Sequence, residues 1–445
     1  MEHREKANIM TDRMRQEVEV LEGWEDRVRE IEACRICGNP ALEPVVTLGA
    51  QSLSGLFDDG QPHNQLFTPI PLDVVRCDLQ GKPDACGFVQ LKHTVPADIM
   101  FRDYGYRSGV NTTMRLHLQR LAAEVESRIL LQAGDIVVDI GANDGTTLMG
   151  YAASGMVKVG FEPSDVRPVS TGHGIRYIPS FFNSADFFAV FPGKRAKVVM
   201  SVAMFYDIDD PTHFCREIAN VLAEDGLWVL EMGFWGAVLE NNGFDSICHE
   251  HLGYYTLKTL RHLFEKTGFK FLDVAFNSSN GGSLRCTLVK KSSPLPIPEV
   301  NQRRIREASE KEESLGHHRP ERFRQFADAL QKIRRDLMQA LEEARVQGKK
   351  VYGYGASTKG NVTLQTCGVE SQHLIAIADR NPMKEGRFTP GTRIPICSEE
   401  TMRQARPDLL LILPWHFLKE FLEREKALRA QGTRFIVPFP EVRIV

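Results

Sequence analysis

The stretch from residue 136 to residue 148 constrains the fold of this 445-residue chain more than any other feature. An apolar strand runs into a turn that contains Gly141 and Gly145, and the turn opens a helix. This arrangement lets backbone N–H groups approach a nucleoside ligand closely. A second apolar strand ends at Glu162, about 20 residues beyond the turn, where an acidic side chain can accept hydrogen bonds from ribose hydroxyls. The sequence therefore predicts a strand–turn–helix unit that binds a nucleoside cofactor.

Apolar strands alternate with helical patterns from residue 135 to about residue 291, which is typical of a parallel α/β sheet. The predicted strands lie at 136–138, 158–161, 198–201 and 227–231. Ahead of them, a helix is predicted from the spacing of Met114, Leu118, Leu121 and Val125. These elements predict one Rossmann-like α/β domain.

A second α/β unit is predicted from residue 349, with further strands at 374–379 and 409–413. A linker with three prolines, 292–300, and a long charged helix, 301–347, separate the two units. The helix carries a core-facing stripe at helical spacing, made of Phe323, Phe326, Leu330, Ile333, Leu337 and Leu341.

Composition excludes several classes of protein. The formal net charge is −3, so the overall charge does not favour binding to nucleic acid or to an anionic membrane. No apolar run reaches the roughly 20 residues that span a bilayer. Residues 1–32 are dense in charge and lack an apolar signal core, which predicts an exposed helix or a frayed tail. A cytoplasmic location is the resulting expectation.

Four cysteines lie in two pairs near the N-terminus, Cys34-x2-Cys37 and Cys77-x8-Cys86. Four thiolates from two knuckles suit a tetrahedral zinc ion, and a site without a water ligand is structural. Such an ion would stabilise a unit of about 60 residues that has little core of its own. The alternative is a set of small buried core cysteines. The other cysteines are predicted to be core or pocket residues: Cys215, Cys248, Cys286, Cys367 and Cys397.

The glycine turn and Glu162 resemble the S-adenosylmethionine (SAM) site of class I methyltransferases. Together with the cysteine pairs and three later stretches, they resemble the nucleotide-sugar C-methyltransferase family of the D-mycarose 3-C-methyltransferase type. The later stretches are 248–255 (Cys-His-Glu-His-Leu-Gly-Tyr-Tyr), 280–285 and 352–361, and segments 379–387 and 413–416 extend the match.

The resemblance implies a zinc-binding domain at 33–95, a SAM-dependent methyltransferase domain at 96–291 and a C-terminal Rossmann-like nucleotide-sugar-binding domain at 292–445. It also implies a nucleotide-linked 4-keto-6-deoxy sugar as substrate. A base removes the proton at C3, beside the ketone, and the enolate takes the methyl group in branched deoxysugar biosynthesis. The family's usual carrier is dTDP, and GDP and CDP remain alternatives.

The chemistry needs a base and a group that stabilises the enolate oxygen. By resemblance, His251 is the best candidate base and Glu250 orients groups or binds the sugar, with His249 as the alternative base. The Cys-His-Glu-His run is interpreted as a strand without a zinc site, because a third metal ligand is missing. Tyr104 and Tyr106 are pocket candidates ahead of the first strand.

The remaining candidates bind ligands. The predicted cofactor contacts are Asp139, Gly141, Asn143, Asp144, Glu162, Ser201 and Ala203. The predicted substrate contacts are Asn280, Gly282, Ser283, Tyr354, Ser357, Lys359, Asn361, Asp379, Arg380, Lys384, Arg387, Trp415 and His416. Among these, the loop Gly353-x-Gly355-x4-Gly360 would hold a diphosphate through backbone donors and Lys359.

Two positions depart from the family. Many members have a tyrosine where this chain has Cys248, and Tyr254, Tyr255, Tyr104 and Tyr106 are the phenols available to replace it. Residues 201–207 also lack a histidine that some members carry there.

Two other functions remain open from the sequence. The same scaffold serves O- and N-methyltransferases, which need no ketone. Taken alone, the C-terminal glycine loop with Asp379 at the end of the next strand is typical of an NAD(P)-dependent oxidoreductase.

Overall fold

The structure is a computed structural model that describes residues 24–60, 68–101, 106–166 and 174–445. Most of the predicted N-terminal tail and Tyr104 lie outside these residues. The described residues form an N-terminal unit, a central unit with a seven-stranded sheet and a C-terminal unit with a six-stranded sheet. The predicted fold class, two Rossmann-like α/β units with a small cysteine-bearing unit, is confirmed.

The N-terminal unit contains a four-stranded antiparallel sheet in the order β11-β4-β3-β2 and a two-stranded sheet that pairs β1 with β5. Its elements are β1 (Arg29–Glu30), β2 (Leu42–Gln51), β3 (Ile70–Cys77), β4 (Val89–Leu91), β5 (His93–Thr94) and helix α1 (Ala97–Phe101), with β11 (Gly253–Tyr254) from the distant chain. The edge strand β11 directly follows the predicted catalytic segment, so this segment is anchored to the N-terminal sheet.

The central sheet has the order β12-β13-β10-β9-β6-β7-β8, with five parallel strands and an antiparallel pair at one edge. The strands are β6 (Ile136–Ile140), β7 (Val157–Phe161), β8 (Ile175–Ile178), β9 (Ala196–Val202), β10 (Leu222–Gly233), β12 (Phe269–Asn277) and β13 (Ser283–Lys290). The middle strands are buried on both faces, which explains their continuous apolar runs. All four strands predicted for this unit are present.

Helices cover both faces of the central sheet. They are α2 (Thr112–Arg128), α3 (Thr146–Met149), α4 (Ser184–Val190), α5 (Pro211–Val221), α6 (Trp235–Glu240) and α7 (Leu257–Lys266). Helix α2 begins where the Asn111 side chain accepts hydrogen bonds from the N–H groups of Thr113 and Met114. It buries Leu118, Leu121 and Val125, as their spacing predicts.

The long helix predicted over 301–347 is wrong in one respect, because the structure contains two helices there. These are α8 (Glu299–Leu315) and α9 (Pro320–Val346), separated by Gly316 in the left-handed conformation and by Pro320, which starts the second helix. Helix α8 packs on β12 of the central sheet, whereas α9 packs on β2 and on the C-terminal unit. The predicted boundary at residue 292 therefore precedes a helix that covers the central sheet.

The C-terminal sheet has the order β16-β15-β14-β17-β18-β19, parallel except for β19. Its elements are β14 (Val351–Tyr354), α10 (Thr358–Cys367), β15 (Ile377–Asp379), β16 (Ile396–Ser398), α11 (Glu399–Ala405), β17 (Leu409–Ile412), α12 (Leu418–Arg424), α13 (Lys426–Ala430), β18 (Arg434–Val437) and β19 (Arg443–Ile444). The stripe predicted on the long helix is buried in α9, in one core with the N-terminal and C-terminal sheets. None of the described helices has the length and apolar character needed to cross a bilayer.

Candidate active site

A cavity of about 930 Å³ lies where the three units meet. Its walls come from the carboxyl ends of β6, β7, β9 and β10 in the central sheet and of β14, β15 and β17 in the C-terminal sheet. The N-terminal unit adds Gly55 and Phe57. Carboxyl ends of parallel strands are the usual ligand sites of open α/β sheets, and here two such edges open into one space.

The turn after β6 is held by the carboxylate of Glu162. Its Oε2 atom accepts a hydrogen bond from Asn143 N at 2.8 Å, and Oε1 accepts one from Ser164 N at 2.9 Å. Gly141 and Asn143 have positive φ angles of 70° and 51°, so the backbone bends sharply here. The turn, Asp139 and Glu162 all line the cavity.

Asp139 is buried beside this turn, and burial raises the pKa of its carboxyl to about 7. A bent backbone with two acidic side chains suits ribose hydroxyls and a cationic sulfonium, so these residues fit SAM. Ala203, another predicted cofactor contact, also lines the cavity.

Two predicted cofactor contacts do not line the cavity. Ser201 is fully buried, and its hydroxyl accepts a hydrogen bond from Trp228 Nε1 at 3.2 Å. The Asp144 carboxylate accepts hydrogen bonds from Gly109 N at 2.8 Å and from Thr146 Oγ1 at 2.6 Å. Both side chains therefore make hydrogen bonds within the protein and do not face the cavity, which their positions in the sequence could not show.

His251 faces the cavity as a neutral imidazole. Its Nδ1–H donates to the Ser246 carbonyl at 2.7 Å, so Nε2 keeps its lone pair. Burial lowers the pKa of His251 to about 4, and the nearby Lys359 ammonium acts in the same direction. The Tyr206 ring packs against the imidazole with centroids 4.1 Å apart. His251 is thus unprotonated at neutral pH and able to accept a proton.

Glu250 also lines the cavity, hydrogen-bonded to the thiol of Cys248. Burial raises the pKa of the Glu250 carboxyl. The loop of the N-terminal unit lies directly over it, because a Cβ atom on Gly55 would come within 2.3 Å of Glu250 Oε1. Only a glycine fits at that position without displacing the carboxyl group.

His249, the alternative base, faces away from the cavity. It is 2% exposed, and its Nε2 lies 3.0 Å from the Ile70 carbonyl in the N-terminal sheet. The predicted strand at this segment is wrong: His249 and Glu250 form a turn, which sends the two histidines in different directions. Of the other candidates, Tyr106 lines the cavity.

Tyr206 and Asp207 are among the cavity residues that were not assigned from the sequence. Both belong to the short 3-10 turn Phe205–Asp207 that follows β9. The only signal was that this segment lacks a histidine found in some family members. Tyr254, one of the phenols proposed to replace the family tyrosine, lines the cavity, whereas Tyr255 packs in the central core.

The C-terminal edge carries cationic side chains. Ser357 begins α10, since its hydroxyl accepts a hydrogen bond from Gly360 N at 3.0 Å. Lys359 Nζ donates to the Asn280 carbonyl at 2.7 Å, and Lys384 Nζ donates to the Ala356 carbonyl at 2.5 Å. Gly355 has φ +87°, and a Cβ atom there would meet Pro414 at 2.6 Å. This loop can present backbone donors and ammonium groups to an anion.

Most predicted substrate contacts line the cavity. They are Asn280, Gly282, Tyr354, Ser357, Lys359, Asp379, Arg380, Lys384, Trp415 and His416. His416 has its pKa lowered to about 3 by burial. Trp415 joins the C-terminal unit to the 3-10 turn Phe244–Ser246, since its Nε1 donates to Asp245 Oδ2 at 2.9 Å.

Ser283, Asn361 and Arg387 do not line the cavity, and these predictions are corrected. The Ser283 hydroxyl donates to the Ser279 carbonyl at 2.9 Å. The Asn361 amide donates to the Ser54 carbonyl at 2.7 Å, so it joins α10 to the N-terminal unit.

The four N-terminal cysteines converge as predicted. Their Sγ atoms all lie within 4.8 Å of one another, with Cys34–Cys86 at 3.5 Å and Cys37–Cys77 at 3.6 Å. Sulfur atoms at the corners of a zinc tetrahedron are about 3.8 Å apart, given Zn–S bonds of about 2.3 Å. Asn39 Nδ2 also donates to Cys77 Sγ at 3.4 Å, as an outer-shell residue does. The cluster fits a zinc ion.

Comparison with protein families gives three matches along the chain. The model described as "Putative zinc binding domain" matches residues 34–101. "Methyltransferase domain" matches residues 106–274, and "C-methyltransferase C-terminal domain" matches residues 278–440.

The chain is similar to C-methyltransferase NovU of Streptomyces niveus, with 32% identity over 95% of this chain and 98% of that protein. Solved structures are similar over a smaller part. Magnesium protoporphyrin IX methyltransferase of Synechocystis PCC 6803, with bound SAH, has 13% identity, covers 41% of this chain and 88% of its own, and has a TM-score of 0.31. The plantazolicin methyltransferase BpumL has 12% identity, covers 40% and 86%, and has a TM-score of 0.32.

Proposed function

The chain belongs to the C-methyltransferase family, and from this premise we propose that it methylates a carbon beside the ketone of a nucleotide-linked 4-keto-6-deoxy sugar, using SAM. One observation carries the proposal: two ligand-binding edges of different character open into a single cavity, with His251 facing it. A cofactor at the central edge and a nucleotide sugar at the C-terminal edge would meet there. The zinc ion is proposed to be structural.

The central edge is proposed to hold SAM. Asp139 and Glu162 would accept hydrogen bonds from the ribose, and the bent backbone at Gly141 and Asn143 would contact the methionine end. When bound, SAM supplies an electrophilic methyl group.

The C-terminal edge is proposed to hold the nucleotide diphosphate. Lys359, Lys384 and the start of α10 would compensate its charge, while Asp379 lies where Rossmann domains contact a ribose. The sugar would then reach across the cavity toward His251. Among the carriers, dTDP is the first choice, with GDP and CDP as alternatives.

His251 is proposed to be the base. Its Nε2 would take the proton from C3 while the electron pair of that C–H bond forms the enolate, whose carbon then bonds to the methyl group. A histidine with a lowered pKa is a weak base, so the carboxyl of Glu250 is proposed to stabilise the imidazolium as it forms. The proton leaves to solvent after transfer.

The test compares two histidine side chains, of which His251 faces the cavity and His249 does not. Purified protein is given SAM and dTDP-4-keto-6-deoxyhexose, and mass spectrometry records methyl gain and, in deuterium oxide without SAM, deuterium uptake at C3. We expect His251→Gln to lower both rates by a factor of about 10²–10⁴, the usual contribution of a general base. His249→Gln should keep both rates within about threefold of wild type.

Equal losses in the two variants would overturn the assignment of the base. NMR of the product separates methylation at carbon from methylation at oxygen or nitrogen. If neither uptake nor transfer occurs while SAM still binds, GDP and CDP sugars are tried next. A change in nicotinamide absorbance with NAD(P)H and the keto sugar would instead favour an oxidoreductase.

A further inference from the structure

A second carboxyl group faces the cavity near Glu250. Asp207 ends the 3-10 turn after β9 and lines the cavity. Ala203 begins this turn in a left-handed conformation, φ 54°, with its N–H donating to the Glu231 carbonyl at 2.7 Å. The bend buries Phe205 in the central core and turns Asp207 toward the cavity. Strained backbone of this kind is retained at functional sites more often than elsewhere.

The Asp207 carboxyl lies in a desolvated part of the cavity, next to the carboxyl of Glu250. It interacts electrostatically with Glu250, Cys248, Tyr254 and Tyr255, and none of the described groups that shift its pKa is a cation. Burial and the charge of Glu250 raise the pKa of Asp207 well above its usual range. Two neighbouring carboxyls in such a place do not both ionise at neutral pH.

Within the described part of the chain, polar atoms on this wall of the cavity lack a hydrogen-bond partner. They include Oδ1 of Asp207, the hydroxyl oxygen of Tyr254, a residue that is 5% exposed, and Nε1 of Trp235, whose ring packs against Tyr254. Leaving buried polar atoms unpaired destabilises a fold, so native proteins rarely keep them without a functional reason. A polar ligand atom in the cavity would satisfy them.

We propose that Asp207 is a catalytic residue that donates its proton, as a hydrogen bond, to the ketone oxygen of the substrate while the neighbouring carbon is deprotonated. The inference rests on the proposed function. As the C–H bond breaks, its electron pair becomes the C=C bond of the enolate and charge moves to the oxygen held by Asp207. When the carbon bonds to the methyl group, the C=O bond re-forms and the proton stays with Asp207. A neutral carboxylic acid in an apolar site is well suited to this role.

The decisive variant is Asp207→Leu, which is close in size and removes an unpartnered carboxyl. We expect its melting temperature to equal or exceed that of wild type, because no hydrogen bond to Oδ1 is lost. Deuterium uptake and methyl transfer should both fall by about 10²–10³, the usual effect of removing an oxyanion donor. Asp207→Asn should lose less, about tenfold, since its amide still donates. A residue that only fills space would tolerate Leu as well as Asn.

Asp210→Ala is the matched control. Asp210 lies three residues away and does not line the cavity, and its carboxylate caps α5 by accepting a hydrogen bond from His213 N at 2.8 Å. This variant should lower the melting temperature and keep deuterium uptake. If wild type takes up deuterium and Asp207→Leu does so at a rate within threefold of it, the proposed role of Asp207 is overturned. A variant that loses methyl transfer but keeps deuterium uptake would overturn it as well.

A second measurement separates this inference from the proposed substrate. Infrared spectroscopy of the free protein at neutral pH should show a protonated carboxyl band that Asp207→Leu lacks. If wild type neither exchanges nor transfers on any sugar offered, the proposed function fails, and the band still decides the state of Asp207. If Asp207→Leu has the same carboxyl band as wild type, the proposal that Asp207 is a protonated acid is overturned.

Discussion

The central and C-terminal edges of the cavity use the same strand–turn–helix device but differ in charge. After β6, the turn is bracketed by Asp139 and Glu162, and the helix that follows has only four residues. After β14, the loop is bracketed by Lys359 and Lys384, and the helix has ten residues. A longer helix with Lys359 at its start and Lys384 nearby suits an anion, whereas an acidic turn suits hydroxyls and a sulfonium. Charge, more than topology, therefore distinguishes the proposed ligands.

The largest effect is expected from Glu162→Ala. Glu162 accepts hydrogen bonds from the N–H groups of Asn143 and Ser164, and each such bond to a charged acceptor contributes about 1.5–3 kcal/mol. Loss of both should raise the Kd for SAM at least about 100-fold, as measured by calorimetry. The Kd for dTDP should stay within twofold of the wild-type value. An equal rise in the Kd for both ligands would contradict the assignment of one ligand to each edge.

Lys359→Met tests the opposite edge. Removing one ammonium that hydrogen-bonds a diphosphate should raise the Kd for dTDP about tenfold. SAM binding should not change. Lys349→Met is the matched control, because Lys349 is exposed, lies two residues before β14 and does not line the cavity. Weaker SAM binding in the Lys359 variant would argue that the two edges are not independent.

Removal of zinc should affect the edges unequally. The N-terminal unit is bonded to α10 through Gln51 and Thr366, and through Ser52 and Gln365. Chelation, checked by metal analysis, should lower the melting temperature. Loss of one such bond, at about 0.5–1.5 kcal/mol, should raise the Kd for dTDP about threefold to tenfold. Unchanged dTDP binding in fully zinc-free protein would show that the unit does not support this edge.

The last effect concerns the pH dependence of stability, and its sign differs between the edges. Asp139 has its pKa raised from 3.8 to about 7, so the stability it contributes is lost as pH rises through that interval. His416 has its pKa lowered from 6.5 to about 3, so its contribution is lost as pH falls through that interval. Each slope is at most about 1.4 kcal/mol per pH unit.

Urea denaturation between pH 4 and pH 6.5 distinguishes the contributions of Asp139 and His416 to stability. The free energy of unfolding should rise more steeply with pH in Asp139→Asn than in wild type, and less steeply in His416→Asn. Slopes that change in the same direction would contradict these assignments.

Periodicity and turn chemistry predicted much of the fold. Strands β6, β7, β9 and β10 of the central sheet and β14, β15 and β17 of the C-terminal sheet follow from apolar runs, and the other strands of both sheets were not predicted. The helix stripe from Phe323 to Leu341 is buried as expected. The division between α8 and α9 was missed although Gly316 and Pro320 signal it locally. Strand β11 was missed because two residues carry no periodicity, and their pairing with β4 is a long-range contact.

The site was less accessible to sequence reasoning. Adjacent positions could not show that His249 faces the N-terminal sheet while His251 faces the cavity, because a turn and not a strand separates them. Asp207 enters the cavity through the bend at Ala203, and a positive φ in alanine has no sequence signature. Lys359 was predicted from a glycine loop before a helix, which has a recognisable pattern, and Lys384 from the family resemblance; both line the cavity.

The pairing of β11 with β4 also sets an order of events during synthesis. The N-terminal sheet lacks its edge strand until residues 253–254 have left the ribosome, long after the cysteines have emerged. Domains that fold one after another as they are made can be exchanged between genes as blocks. Here the N-terminal sheet is completed by a strand from the second block, so a recombination junction between residues 95 and 250 would separate β4 from its partner strand β11.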